Sequence, residues 1–162
     1  MKLRIVAVGH RMPQWIDTGF EDYARRMPRA MSLALTELKP ESRSDKPGAG
    51  DITRILEQEA QRIEAALQSV NKGGLTVVLD ETGKTATTRQ LADKITRWRD
   101  DGRDVTFVIG SADGTAARLK KSAGWLWSLS PLTLPHGLVR VMLAEQLYRA
   151  VSIIGNHPYH RD

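Results

Sequence analysis

Residues 128–150 read SLSPLTLPHGLVRVMLAEQLYRA, and the two parts of that stretch obey different rules. From Leu138 onward, Val139, Met142, Leu143, Leu147, Tyr148, Val151 and Ile154 recur at the spacing of one helical face, which predicts a helix to about Ile154. Before it, Leu129 to Leu134 is apolar yet interrupted by Pro131 and closed by Pro135. Proline has no N–H to give to a sheet ladder, so an ordinary central strand does not fit there. Such a segment can offer carbonyl and amide groups between leucine walls, as a purine site requires. A plain core segment leading into a partly exposed helix accounts for the same residues.

Upstream, strand and helix patterns alternate. Leu3 to Gly9, Leu75 to Asp80 and Asp104 to Gly110 are short apolar runs of the kind buried on both faces of a parallel sheet. Leu33 and Leu35 alternate with smaller residues in MSLALTELK, which predicts a half-buried strand nearer an edge. One helix is predicted from Pro13 to Met27, with Trp15, Ile16, Gly19, Phe20, Tyr23 and Ala24 on its inner face. A second is predicted from an Asp51 cap to Asn71 and Gly73, and a third from the capping box Thr87–Gln90 to near Gly102. A short helix carries Lys120 and Lys121. Strands alternating with helices predict an α/β fold, a mainly parallel sheet of about five strands with helices on both faces. No linker or repeat divides the chain, so one domain is expected over residues 1–162. The loop Pro40 to Gly50 reads as an insertion rather than a lid.

The chain has no cysteine, which excludes disulfides, zinc ribbons and thiol nucleophiles together. Its apolar start is too short for a signal peptide and no stretch approaches a membrane span, so a cytoplasmic protein is expected. The formal charge of +5 is dispersed, which favours a polyanionic partner only weakly.

Ligands of open α/β sheets collect at the carboxyl ends of the strands, here the turns after Leu79, Gly110 and Leu134. In DETGK, after the first of these, Gly83 is explained by a tight turn as readily as by an anion site. In IGSADG, Gly110 and Gly114 let backbone approach a ligand. Neither common nucleotide-binding glycine motif is present, which argues against a nicotinamide-dependent oxidoreductase. At the other end, NHPYHR crowds two histidines, a tyrosine and an arginine into a terminus. Pro158 between His157 and His160 spoils a helical metal site, and no metal is expected.

Taken together, VAVG near the start, the IG…G turn, LSPLTLPHGLVRVMLAEQLYRA and the ending NHPYHR resemble the small SPOUT-class methyltransferases that act on N3 of a pseudouridine in 23S rRNA. The resemblance spans the chain and is densest after Gly110. It implies S-adenosylmethionine as methyl donor, a C-terminal trefoil knot, a homodimer, and the assembled ribosome as substrate. By that resemblance Leu79, Gly110, Leu129, Ser130, Pro131, Leu132, Thr133 and Leu134 hold the donor. Ser111 stands where relatives commonly carry a second glycine.

N3 of a pseudouridine carries a proton that must leave, so a base is needed. His160 is the candidate base, Tyr159 can stack on the base or hydrogen-bond its edge, and Arg161 can hold phosphate or a developing oxyanion. Arg140, Arg149, Lys120 and Lys121 are candidates for rRNA contact, with solvated surface as the plain alternative. One subunit's tail is expected to complete its partner's site. A ribosome-binding module without catalysis is the alternative reading; it needs the basic surface but not the donor loop.

Overall fold

The apolar runs become five parallel strands, described in a computed structural model over residues 1–44, 46 and 48–160. They are β1 (Leu3–Val8), β2 (Leu33–Leu38), β3 (Leu75–Lys84), β4 (Val105–Ile109) and β5 (Trp125–Trp127), joined in the order β2-β1-β4-β3-β5. Central β4 is buried at every position, and half-buried β2 lies at an edge as its alternation predicts. Five helices cover the sheet: α1 (Gln14–Arg26), α2 (Ala49–Val70), α3 (Thr88–Asp100), α4 (Ala117–Ser122) and α5 (His136–Ile154).

The strand period of two sorts the core into two layers. Leu3, Ile5, Ala7, Val77 and Phe107 face α1, α3 and α5 through Phe20, Leu91, Ile95, Leu143 and Leu147. Val8, Val78 and Val108 face the other way, onto Ala60 and Ile63 of α2 and Leu119 of α4. Close approach of α1 to α5 depends on Gly19, where an added Cβ would stand 3.1 Å from Val141.

Two local expectations change. Gly48, not Asp51, caps α2; Asp51 sits at the third helical position and its carboxylate accepts from the Gly48 N–H at 3.2 Å. An acidic residue there still complements the positive end of the helix dipole. The Thr87–Gln90 box forms as read, at 3.2 and 2.9 Å. The larger change is at DETGK, which is no tight turn: β3 continues through a bulge to Lys84, and Lys84 pairs with Trp127. Gly83 is there because backbones meet, an added Cβ standing 2.6 Å from the Trp127 carbonyl carbon. Three-residue β5 is braced by indoles, Trp125 stacked on Trp127 at 4.7 Å and Trp98 6.0 Å beyond.

Candidate functional site

At the carboxyl ends of β3 and β4 the sheet opens into a cavity of about 490 Å³. Leu79 and Gly110 line it, as do Leu129, Ser130, Leu132, Thr133 and Leu134 from the loop between β5 and α5. Pro131, expected beside them, is exposed and outside the lining. The loop holds itself in shape: the Ser128 hydroxyl donates to the Ser130 carbonyl at 3.0 Å, and the Leu132 N–H donates to the Ser130 hydroxyl at 2.9 Å. Gly110 is required by packing, since an added Cβ would lie 2.2 Å from Thr115 Oγ1 and 2.3 Å from the Gly114 carbonyl oxygen. Gly114 itself has φ +95°, closing the SADG turn onto Ser111.

Lys120 belongs to this cavity's wall. Its ammonium meets Asp80 at 2.6 Å, and the Asp80 side chain is only 5% exposed. Burial pushes the Asp80 carboxyl up, but bonds from Lys120 and Thr82 outweigh it and hold the group below the usual carboxylate range. Lys121, next along α4, is exposed. On the rim, Arg43 donates to Asp113 at 2.6 Å, while the Glu41 N–H reaches buried Glu59 at 2.9 Å. The start of the segment expected as an insertion is therefore pinned against the site.

Arg140 corrects the sequence reading most sharply. Expected to face RNA, it is wholly buried, donating from Nη2 to the Gly9 carbonyl at 2.8 Å and from Nη1 to Glu37 at 2.5 Å. A guanidinium with no exposed surface cannot touch a phosphate. One turn earlier on α5 stands His136, which no sequence argument singled out; it lines the cavity at the helix's first position. Burial, then the Arg140 charge, pushes its imidazole below the ordinary histidine value, with the nearby Gly110 backbone opposing them.

The tail folds away from the cavity within one chain. Asn156 turns the backbone with φ +52°, and the His157 N–H caps the Ser152 carbonyl at 2.8 Å. Tyr159 then packs edge-on against Tyr148 at 4.7 Å, donates to Glu145 at 3.2 Å and lies under the Arg149 guanidinium at 4.8 Å. Arg149 is in turn paired with Glu145 at 2.5 Å. Burial first, and then hydrogen bonding with Tyr23, pushes the Tyr159 phenol up to about 12. His160 is half-buried, and Arg161 lies outside the described residues. No described tail residue lines the cavity. From His136 to Tyr148 α5 advances about 18 Å.

A parallel sheet whose strand ends meet an irregular leucine-lined loop is an α/β fold with a cavity at the carboxyl edge of its sheet, and the comparisons give its class. The family described as "Predicted SPOUT methyltransferase" matches residues 1–160, and the chain belongs to it. Its relatives include proteins named "Ribosomal RNA large subunit methyltransferase H": from Methylobacillus flagellatus, 52% identical with all of both chains covered, and from Burkholderia mallei, 56% identical with 99% of each covered. Among solved structures, a probable methylase family protein from Haemophilus influenzae Rd KW20 superposes with TM-score 0.60 at 11% identity, covering 99% of this chain and 70% of that one. A putative RNA methyltransferase from Bacillus anthracis gives 0.52 at 19% identity, covering 97% and 96%. These two share the fold alone. The family implies a methyl donor.

Proposed function

We propose that this chain is a single-domain, S-adenosylmethionine-dependent methyltransferase acting on N3 of a pseudouridine in 23S rRNA of the assembled ribosome, in the cytoplasm. The observation that carries the reading is the cavity, where the strand-end residues Leu79 and Gly110 meet the loop from Leu129 to Leu134. Its residues fit a nucleoside-bearing donor. Its volume suits one small cofactor, leucines offer flat apolar walls, and the loop backbone can pair with a purine edge. The hydroxyls of Ser111 and Thr115 are buried beside Gly110 without a hydrogen-bond partner among the described residues, so polar capacity remains where the glycine lets backbone approach.

When bound, the donor supplies an electrophilic methyl on sulfonium sulfur. The protein's part is alignment and management of one proton. His160 accepts the N3 proton of the uracil ring. Tyr159, whose phenol stays protonated at neutral pH, donates a hydrogen bond to the ring instead of acting as a base. Arg161 holds phosphate or balances charge on a uracil oxygen. Lys121 is exposed and Arg149, paired with Glu145 on its own helix, stays partly exposed, so these two serve rRNA, whereas Arg140 is wholly buried and Lys120 is held in the cavity wall by Asp80. Because the tail of one chain rests away from its own cavity, a homodimer in which the partner's tail completes the site accounts for both halves of the chemistry. A knotted C-terminal segment is the arrangement expected from the family.

Two measurements test the reading. Calorimetry with S-adenosylmethionine should show saturable binding, and absence of heat above dilution would favour a non-catalytic ribosome-binding module. Mass mapping of 23S rRNA from a deletion strain should show one missing methyl, restored by the wild type and not by His160→Ala. Mixed dimers with a tail deletion in one subunit and a donor-loop lesion in the other should be active only when one intact cavity faces one intact tail.

A further inference from the structure

Lys120 is the one lysine or arginine among the described residues that line the cavity, whereas Asp80, Glu81 and Asp113 bring carboxylates to the same wall. Asp113 already has a cation, since Arg43 donates to it at 2.6 Å from outside the lining. Leu119, 3% exposed, seats α4 in the core layer of Val78 and Val108, which fixes Lys120 near the strand ends while Lys121 beside it is exposed. Asp80 then holds the Lys120 side chain. Asp80 Oδ1 accepts from the Thr82 N–H at 3.0 Å and from the Thr82 hydroxyl, and Oδ2 meets the Lys120 ammonium at 2.6 Å. Both oxygens of this carboxylate are therefore in use. An ammonium has three N–H donors, and Asp80 is the only partner of Lys120 among the described residues, so two donors remain.

We infer that Lys120 anchors the carboxylate at the amino-acid end of the methyl donor, with Asp80 aiming its ammonium. The assignment rests on the donor reading above. S-adenosylmethionine carries a carboxylate, and taking that group out of water beside Glu81 and Asp113 needs a cation to offset the cost. Lys120 is the cation so placed. The donor's own ammonium and sulfonium need no such help, because the remaining charged wall is acidic. An ion pair serving stability alone explains the Asp80 contact but gives no reason for a lysine with spare donors to stand in the cavity wall. The assignment moves Lys120 from the rRNA surface, where its place in the sequence suggested it, to the cofactor.

Calorimetric titration with S-adenosylmethionine and with decarboxylated S-adenosylmethionine tests this, with thermal unfolding of each variant recorded alongside. The second compound lacks only the carboxylate, so the ratio of the two Kd values isolates that group. Wild type should bind the intact donor about 10- to 100-fold more tightly, the effect of one charge-assisted contact. Lys120→Met should weaken the intact donor by that factor and leave the decarboxylated compound bound no more weakly than before, so the preference disappears. A wild-type ratio near one overturns the assignment. So does a wild-type preference that survives in Lys120→Met, whether both ligands weaken together or neither does. If Lys120→Met does not fold because Asp80 is left buried and unpaired, the double variant Asp80→Asn with Lys120→Met removes both charges and is judged by the same ratio. Wild-type protein that binds neither compound removes the donor reading itself, a failure distinguishable because it precedes any comparison of variants.

Discussion

The two ends of α5 carry the same kinds of residue in opposite circumstances. At the start, Arg140 is wholly buried and bonded to two other elements of its own chain. Near the end, Arg149 is paired with Glu145 on its own helix, with 29% of its side chain exposed and its plane over Tyr159. The first arrangement is finished within one chain; the second holds a phenol, a carboxylate and a guanidinium together beside a smaller pocket lined by Tyr23, Val141, Met142, Glu145 and Gln146. Burial thus separates an arginine held wholly inside the fold from one that stays partly at the surface, where the proposed function asks for a cation.

The largest test of this contrast is Arg140→Met. It removes a wholly buried guanidinium and strands the Gly9 carbonyl, so thermal or urea unfolding should register a loss of about 3 kcal/mol, at the lower end for a buried pair because Glu37 keeps contact with water. Gly110→Ala forces a Cβ against Thr115 and the Gly114 carbonyl; a stability loss of about 1–3 kcal/mol is expected. Donor binding measured by calorimetry should weaken with it. Arg149→Met should cost no more than about 1 kcal/mol, as exposed pairs do, yet lower rRNA methylation about tenfold or more with donor Kd unchanged. An equal stability loss in the two arginine variants would erase the distinction.

Smaller effects follow from pH. The folded-state value of His136 lies below its unfolded value of 6.5, so the unfolded chain binds the proton more readily as pH drops. The neutral ring's contribution is complete above pH 6.5 and is lost as pH falls from there toward the depressed folded value. Unfolding of wild type should therefore be more acid-sensitive than that of His136→Asn in that window. Tyr159 gives the opposite slope: with its phenol raised from 10.0 to about 12, its contribution is whole below pH 10.0 and declines as pH rises toward 12. Tyr159→Phe should flatten that alkaline decline.

Local rules carried much of the fold to the surface of the sequence. The apolar runs at Leu3, Leu75 and Val105 announce strands because each is buried by both helical layers, and the Thr87–Gln90 box announces a helix start because its bonds are local. What escaped depends on distant partners. Gly83 resembles a turn glycine until Trp127 is placed against it, and that contact spans more than forty residues. Arg140 resembles a surface cation because most arginines are solvated. Its position does fall on the stripe with Leu143, Ala144, Leu147 and Val151, a helical signal that this charge points inward. His136 is hidden for a similar reason: Gly9, against which its ring packs, is remote in sequence and meets it only at the strand end. Of the cavity lining, the leucines and Gly110 are among the residues the resemblance names. That the tail folds away from the cavity was not legible, because nothing local says which side of α5 it will choose.

The row of indoles on β5 gives the molecule an internal optical reporter. Trp127 ends that strand immediately before Ser128, where the cavity loop begins, and it sits against Phe107 at 6.2 Å and Trp125 at 4.7 Å. Lys94 places its ammonium 4.6 Å from the Trp125 ring, a cation near enough to shift the emission of an excited indole. A ligand that resettles residues 128–135 pulls on one end of this stack, so the native fluorescence of the chain can follow cavity filling in real time without an added dye.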